Sequence, residues 1–240
     1  MLIKQLSILK CQSELSSLPD KKLLINTINA HCYNMAQKDT LYEEVLTKSD
    51  VLIPDGISVV QAVKWLKGEK IERIAGWDLF MFEMERLNKR GGGNCFFLGS
   101  SEKILALIKS RVARDFKNIR AITCSPPYKT EFSEEENSLL IDAINAAQPD
   151  LLWIGMTAPK QEKWAYTNIE RLNINCHIGT IGAVFDFYAG TLRRAPQWCQ
   201  NIGLEWLHRL IQEPRRLWKR YLLGTPLFML YMVKEKFFVK

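Results

Sequence analysis

The stretch Val51-Leu52-Ile53-Pro54-Asp55-Gly56-Ile57-Ser58-Val59-Val60 decides the fold. Residues 51–53 read as a short buried strand. Pro54 stops it, Asp55 follows, and Gly56 lets the backbone turn into an apolar run at helical spacing. A carboxylate at the C-terminal end of a strand in an α/β sheet lies where such folds place ligands. Asp55 has no nearby His or Cys in the sequence to suggest a triad or a metal cage. Locally two readings stand level: a cap on the following helix, as Asp often is, and a group that does chemistry.

Outward from this turn, strands and helices alternate. Residues 23–28 read as a strand and 31–46 as a helix. After the Asp55 turn comes a helix over 57–66, a polar turn over 67–70, and an approach over 71–76 to a helix over 79–87. Gly91-Gly92-Gly93 breaks the chain before a buried strand over 95–98, then Gly99-Ser100-Ser101 and a helix to about Arg114. Residues 119–124 form the next strand and Ser125-Pro126-Pro127-Tyr128 a loop. A helix then starts with Glu134, Glu135 and Glu136 in its first turn, where acids suit the dipole. A strand over 151–154, a helix over 159–171 and a strand over 176–178 follow. This alternation predicts an α/β fold: a Rossmann-like, mainly parallel sheet with helices on both faces over residues 1–192.

The charge is distributed unevenly. Of 33 basic residues, ten lie between Arg193 and Lys240, where only three of the 26 acidic residues lie. The rest of the chain is balanced, so the net +7 sits in its last fifth, a statement about a partner surface. There Pro214 can start a helix with Arg215, Arg216, Lys219 and Arg220 along one side, and Leu217, Trp218, Tyr221 and Leu222 beside them. Gly224 is expected to end it. Thr225-Pro226 can start another helix, carrying Leu227, Phe228, Leu230, Tyr231, Phe237 and Phe238. Residues 193–240 thus read as a basic, aromatic-rich helical appendage suited to an anionic membrane interface. Ordinary packed helices with a solvated face share the pattern. A nucleic-acid binder and a noncatalytic membrane scaffold are the rival classes that a basic aromatic tail raises.

Apolar content of 47% and charged content of 25% over 240 residues are ordinary for a globular chain. Six cysteines without a CxxC pair read as buried thiols of a reducing compartment, and three lone histidines form no ligand pattern. The first nine residues, interrupted by Lys4 and Gln5, do not read as a signal peptide. The apolar run over 226–233 falls short of the ~20 residues a bilayer requires. The expectation is a cytoplasmic protein, peripheral on the inner face of the plasma membrane.

Three loops after strands suit a ligand. Gly99 and Ser100, with Ser101, offer amides and hydroxyls for a phosphate or, more plainly, a helix cap. Pro159 fits a first helical turn, which puts Lys160 and Gln161 at a helix start on the ligand side; a solvated helix start is the alternative. The run from Gly179 to Gly190 carries Asp186 between aromatics, as a pocket wall or a packing corner.

Read in order, Pro54-Asp55-Gly56, Arg73-Ile74-Ala75-Gly76, Phe97-Leu98-Gly99, Ala158-Pro159-Lys160-Gln161-Glu162, Phe185-Asp186-Phe187-Tyr188-Ala189-Gly190 and Arg194-Ala195-Pro196 resemble the WecG/TagA/CpsF glycosyltransferases. Gly203-Leu204-Glu205-Trp206-Leu207, Arg209-Leu210 and Gln212-Glu213-Pro214-Arg215-Arg216 complete the set. The resemblance implies an inverting, metal-independent, cofactor-free hexosyl- or N-acetylhexosaminyltransferase. It would move an N-acetylmannosamine-like sugar, a uronic acid or a hexose from a UDP-sugar to an undecaprenyl-diphosphate-linked acceptor. It implies Asp55 as base, and Thr27, Asn29, Arg73 and Gln161 in the pocket. Gly99, Ser100, Lys160 and Asp186 join them as substrate-binding candidates. The C-terminal cations would meet membrane or diphosphate. Two departures, Thr157 where members carry Gly or Ser, and His31 near an often acidic position, bear on the donor. The expected partners are the UDP-sugar, the lipid-linked acceptor and an anionic membrane surface, with a homo-oligomer left open and no nucleic acid.

The chemistry agrees with one carboxylate. Inversion is a single displacement at the anomeric carbon, and the acceptor hydroxyl needs a base on its own face. The departing diphosphate needs cations or amides on the other, from Arg73, the C-terminal arginines or a helix start.

Overall fold

The structure, a computed structural model, describes residues 1–238. Its centre is one six-stranded sheet in the order β2-β1-β6-β5-β3-β4, every neighbouring pair parallel. The strands are β1 (Leu23–Ile28), β2 (Val51–Pro54), β3 (Gly93–Gly99), β4 (Ile119–Cys124), β5 (Leu151–Gly155) and β6 (His177–Thr180). Except at the edge strand β4, they are largely buried because helices cover both faces. Ile25, Ile53, Phe97 and Trp153 point to one layer, packed with residues of α4 (Gly76–Lys89), α5 (Glu102–Asp115) and α8 (Val184–Ala189). Leu24, Phe96, Leu152 and Ile178 point to the other, against α6 (Glu134–Ala147) and α7 (Lys160–Asn168). Ile28 and Leu52 continue that layer beneath α1 (Ala30–Ala36), α2 (Thr40–Thr47) and α3 (Ile57–Lys67). The expected Rossmann-like architecture is therefore present.

Two local expectations change. The helix read over 31–46 is two helices, because the Asp39 side chain accepts the Tyr42 N–H at 3.1 Å and begins α2 afresh. Nor does Gly224 end a helix. After α9 (Gln197–Asn201) and α10 (Glu205–Gln212), α11 (Pro214–Trp218) runs through a π-helical turn over 219–223 into α12 (Gly224–Phe238). Gly224 sits at φ −70° and ψ −35°, ordinary right-handed helix, and its carbonyl accepts Asn34 Nδ2 at 2.6 Å.

The wider π turn separates the four cations expected on one stripe. Arg215, Arg216 and Lys219 are exposed, but Arg220 is half-buried with a buried Nε that has no hydrogen-bond partner. Burial, aided by the Arg220 charge, pushes the His31 imidazole down to about 4. Part of α12 is likewise core. Phe228 and Met232 are buried with Tyr33, whose ring meets Phe228 edge-on at 5.2 Å. The buried Glu235 carboxylate accepts the Ile3 and Lys4 N–H groups at 3.0 and 2.7 Å. Leu227 and Tyr231 are half-buried; Leu230, Phe237 and Phe238 remain exposed. Among the described residues, no helix is long and apolar enough to cross a membrane.

Candidate active site

The carboxyl ends of β1 and β2 lie side by side, with Thr27 opposite Ile53 and Ile28 opposite Pro54. The Asp55 N–H donates to the Ile28 carbonyl at 3.0 Å, which extends the ladder one residue past the strand. Asn29, one residue beyond β1, caps α1: its Oδ1 accepts the N–H groups of His31 and Cys32 at 3.0 and 3.1 Å. Gly56 fits closely over it, because a Cβ there would meet Asn29 Cβ at 3.0 Å.

This arrangement removes the capping reading of Asp55. The residue before α3 is Gly56, and no side chain caps that helix. The Asp55 carboxylate is half-buried and makes no hydrogen bond or ion pair with any described residue. A carboxylate set at a strand end and left unpaired is available to accept a proton from a ligand.

Arg73 reaches this turn from the segment before α4. Its Nε donates to the Asp55 carbonyl oxygen at 3.1 Å, and Ile74 N–H donates to the Pro54 carbonyl at 3.0 Å. The far nitrogen of Arg73 donates to Glu205 Oε2 on α10 at 2.5 Å. Glu205 also faces Arg194 Nε at 3.7 Å, while Arg194 reaches Asp78 at 3.4 Å and lies over the Trp77 ring. Thus Arg73 is brought to Asp55 but is shared with α10. Sequence reasoning assigned no role to Glu205; its place in the Gly203-Leu204-Glu205-Trp206 run was the available signal.

Gln161 is almost wholly buried and joins two loops at the same sheet edge. Its Oε1 accepts the N–H groups of Met156, after β5, and Gly182, after β6, at 3.2 and 3.1 Å. Its Nε2 donates to Glu162 Oε1 at 2.8 Å. Burial pushes the Glu162 carboxyl up to about 7. Gly155 allows this edge to close down, since a Cβ there would overlap the Phe185 ring at 2.5 Å. Thr27 is buried near Gly76 at the start of α4.

The remaining candidates are more dispersed. Ser101 caps α5, with Ile104 N–H at 3.4 Å, while the Ser100 carbonyl accepts Ser125 Oγ at 2.7 Å. Gly99 pairs with Gly155 across the β3–β5 ladder. Lys160 is committed to the loop between β4 and α6: its Nζ lies 3.5 Å from the Phe132 ring centroid and donates to the Lys129 carbonyl at 2.5 Å. Burial, then the Lys129 charge, lowers its pKa. Asp186 is half-buried on α8, its carboxyl raised by burial against the opposing pull of Arg216. That link and Arg209 over the Phe187 ring place the C-terminal segment against α8.

Two cavities lie elsewhere. One of about 380 Å³ runs beside β4 and includes Lys109 and Arg120. One of about 260 Å³ lies at the opposite ends of the strands, beside Glu83, Arg86 and His177. Neither includes a candidate residue. No group of three His, Cys, Asp or Glu side chains among the described residues could hold a metal ion.

The family model described as "Glycosyl transferase WecG/TagA/CpsF family" matches residues 3–240. The chain is similar to the N-acetylglucosaminyldiphosphoundecaprenol N-acetyl-beta-D-mannosaminyltransferase of Bacillus subtilis (strain 168), with 31% identity over 219 residues, 90% of this chain and 82% of that protein. The protein of that name from Bacillus spizizenii is 30% identical over 217 residues, 90% of this chain and 81% of its own. Its namesake from Staphylococcus aureus (strain MW2) is 26% identical over 214 residues, 89% and 81% of the two chains.

Proposed function

Because the chain belongs to the WecG/TagA/CpsF glycosyl transferase family, we propose that it moves a sugar from a UDP-sugar to an undecaprenyl-diphosphate-linked acceptor, with inversion and without a metal. The observation that carries the assignment of the base is the unpaired Asp55 carboxylate at the end of β2. In this reading, Asp55 accepts the proton of the acceptor hydroxyl as its oxygen attacks the anomeric carbon. UDP departs on the opposite face, so the configuration inverts. Thr27, Asn29 and the loops tied by Gln161 form the donor side. Arg73 holds the backbone of the base and lends positive charge beside it.

The relatives are named for an N-acetylglucosaminyl-diphosphoundecaprenol acceptor and an N-acetylmannosaminyl donor group, which makes these the first substrates to try. Residues 1–192 form the catalytic part, and 193–240 the part that meets the lipid. Supporting the second role are exposed Arg215, Arg216 and Lys219 together with exposed Trp198, Ile202, Ile211, Trp218, Leu222 and Leu223. Cations beside exposed apolar groups suit a peripheral, anionic interface.

The test is a panel of UDP-sugars, UDP-N-acetylmannosamine first, offered with N-acetylglucosaminyl-diphosphoundecaprenol in anionic vesicles. Transfer from one of them supports the reading. Absence of transfer from any, with salt-sensitive DNA or RNA binding instead, would favour the nucleic-acid class.

A further inference from the structure

Glu162 is 1% exposed, yet only one of its carboxyl oxygens is accounted for. Oε1 accepts from Gln161 Nε2 at 2.8 Å, while Oε2 is buried without a hydrogen-bond partner. An incompletely satisfied buried carboxyl is costly. Burial raises the nearby Cys32 thiol to about 11, and the Glu162 charge adds to that rise while the Arg220 charge opposes it.

What Glu162 does have is a fixed relation to one amide. Gln161 Oε1 receives two backbone N–H groups, so turning the amide over would set Nε2 against two donors. Glu162 adds the second half of that constraint by presenting an acceptor where Nε2 points. The two N–H groups belong to Met156 and Gly182, which follow adjacent strands; Ile154 pairs with Thr180 just before them. One amide therefore sets the spacing of two loops at the crevice, and one buried carboxyl sets the amide.

We propose that Glu162 is a positioning residue for the donor side of the crevice, acting through Gln161 to hold the loops at Met156 and Gly182. This rests on the transferase reading for its consequence in catalysis, though not for its consequence in structure. Glu162 reaches the donor side through Gln161, so its removal acts on the placement of donor rather than on proton transfer.

The experiment compares Glu162→Gln with Glu162→Met. The glutamine retains an oxygen that accepts from Gln161; the methionine keeps similar volume and has no comparable acceptor. Two readouts are taken: hydrogen exchange at the Met156 and Gly182 amides, and KM and kcat for the UDP-sugar. Glu162→Met should speed exchange at both amides by about tenfold and raise donor KM by a similar factor, as expected for one lost hydrogen bond. Its kcat and melting temperature should stay near wild type, since a costly buried acid has been removed. Glu162→Gln should match wild type in exchange and in KM. Wild-type exchange at both amides in Glu162→Met overturns the proposal, as does failure of Glu162→Gln to restore protection. If the wild-type protein transfers no sugar, the functional reading falls while the exchange data still decide the role of Glu162.

Discussion

Arg73 binds the backbone of Asp55 rather than its carboxylate: Nε donates to the Asp55 carbonyl at 3.1 Å, and a terminal nitrogen donates to Glu205 at 2.5 Å. The arginine thereby steadies the turn through its backbone and leaves the carboxylate of the proposed base unpaired. It also ties that turn to α10, so the C-terminal segment and the Asp55 turn share one guanidinium.

Breaking this tie should loosen the segment before it harms the sheet. Glu205→Ala leaves Arg73 and Arg194 without their shared carboxylate. We expect a loss of about 1–3 kcal/mol, the cost of stranding a partly buried charged donor. Limited proteolysis should become faster within residues 193–213, with transfer reduced. Wild-type resistance to protease would show that the ion pair does not hold α10.

Asp55→Asn preserves shape and removes the proton acceptor. Turnover should fall by roughly 10²–10⁴-fold, the usual contribution of general base catalysis. The melting temperature should hardly change, because no described residue bonds to that carboxylate. Undiminished turnover in a folded variant would remove Asp55 from the mechanism.

Treatment with EDTA should leave transfer intact. In the proposed mechanism the base is a lone carboxylate, and arginines and amides would meet the leaving diphosphate. A strict requirement for Mg²⁺ or Mn²⁺ would refute the metal-free mechanism.

Replacing Arg215, Arg216 and Lys219 with Gln should weaken binding to anionic vesicles. The three are exposed, and each cation near such a surface contributes about 1 kcal/mol. Arg220 is left unchanged because it is half-buried with a buried Nε, and its substitution would disturb packing as well as charge. Vesicle sedimentation measures the effect. Unaltered binding would mean that this face does not meet the lipid.

The pH dependence of stability offers a separate check on Glu162. Its carboxyl is raised in the folded protein from 4.5 to about 7, so folding favours its neutral form. That contribution is complete below about 4.5 and is lost as pH rises through about 7. His31 is shifted the other way, its contribution lost as pH falls from 6.5 through about 4, but it is common to both proteins compared. The melting temperature of Glu162→Gln minus that of wild type should therefore increase from pH 5 to pH 8. A constant difference would show that Glu162 does not titrate in this range.

The sheet was legible because strands buried on both faces are short apolar runs, and each was followed by a turn and a helical repeat. The Pro54-Asp55-Gly56 turn was legible for the same reason, down to the end of β2. Less legible was anything set by long-range contact. Asp39 reads locally as one more polar residue of a helix, yet its cap divides α1 from α2. The stripe of four cations assumed a uniform helical twist, which the π turn at 219–223 breaks. Lys160 stands at a helix start, as its spacing indicated, but Phe132 and the Lys129 carbonyl claim its ammonium. Glu205 and Glu162 stood in the quoted motifs without a role, because only the folded chain brings Arg73 to one and buries the other.

The carboxylate of Glu235, holding the N–H groups of Ile3 and Lys4, has a consequence for synthesis. Ile3 leaves the ribosome 232 residues ahead of its partner. At ~5–20 residues per second, that interval is roughly 12–46 s. Throughout it, the amino-terminal turn lacks its acceptor, and the Tyr33 side of α1 lacks the cover of Phe228 and Met232. A nascent chain arrested before residue 228 should therefore bind chaperones that recognise exposed apolar surface, and release of the last helix should end that binding.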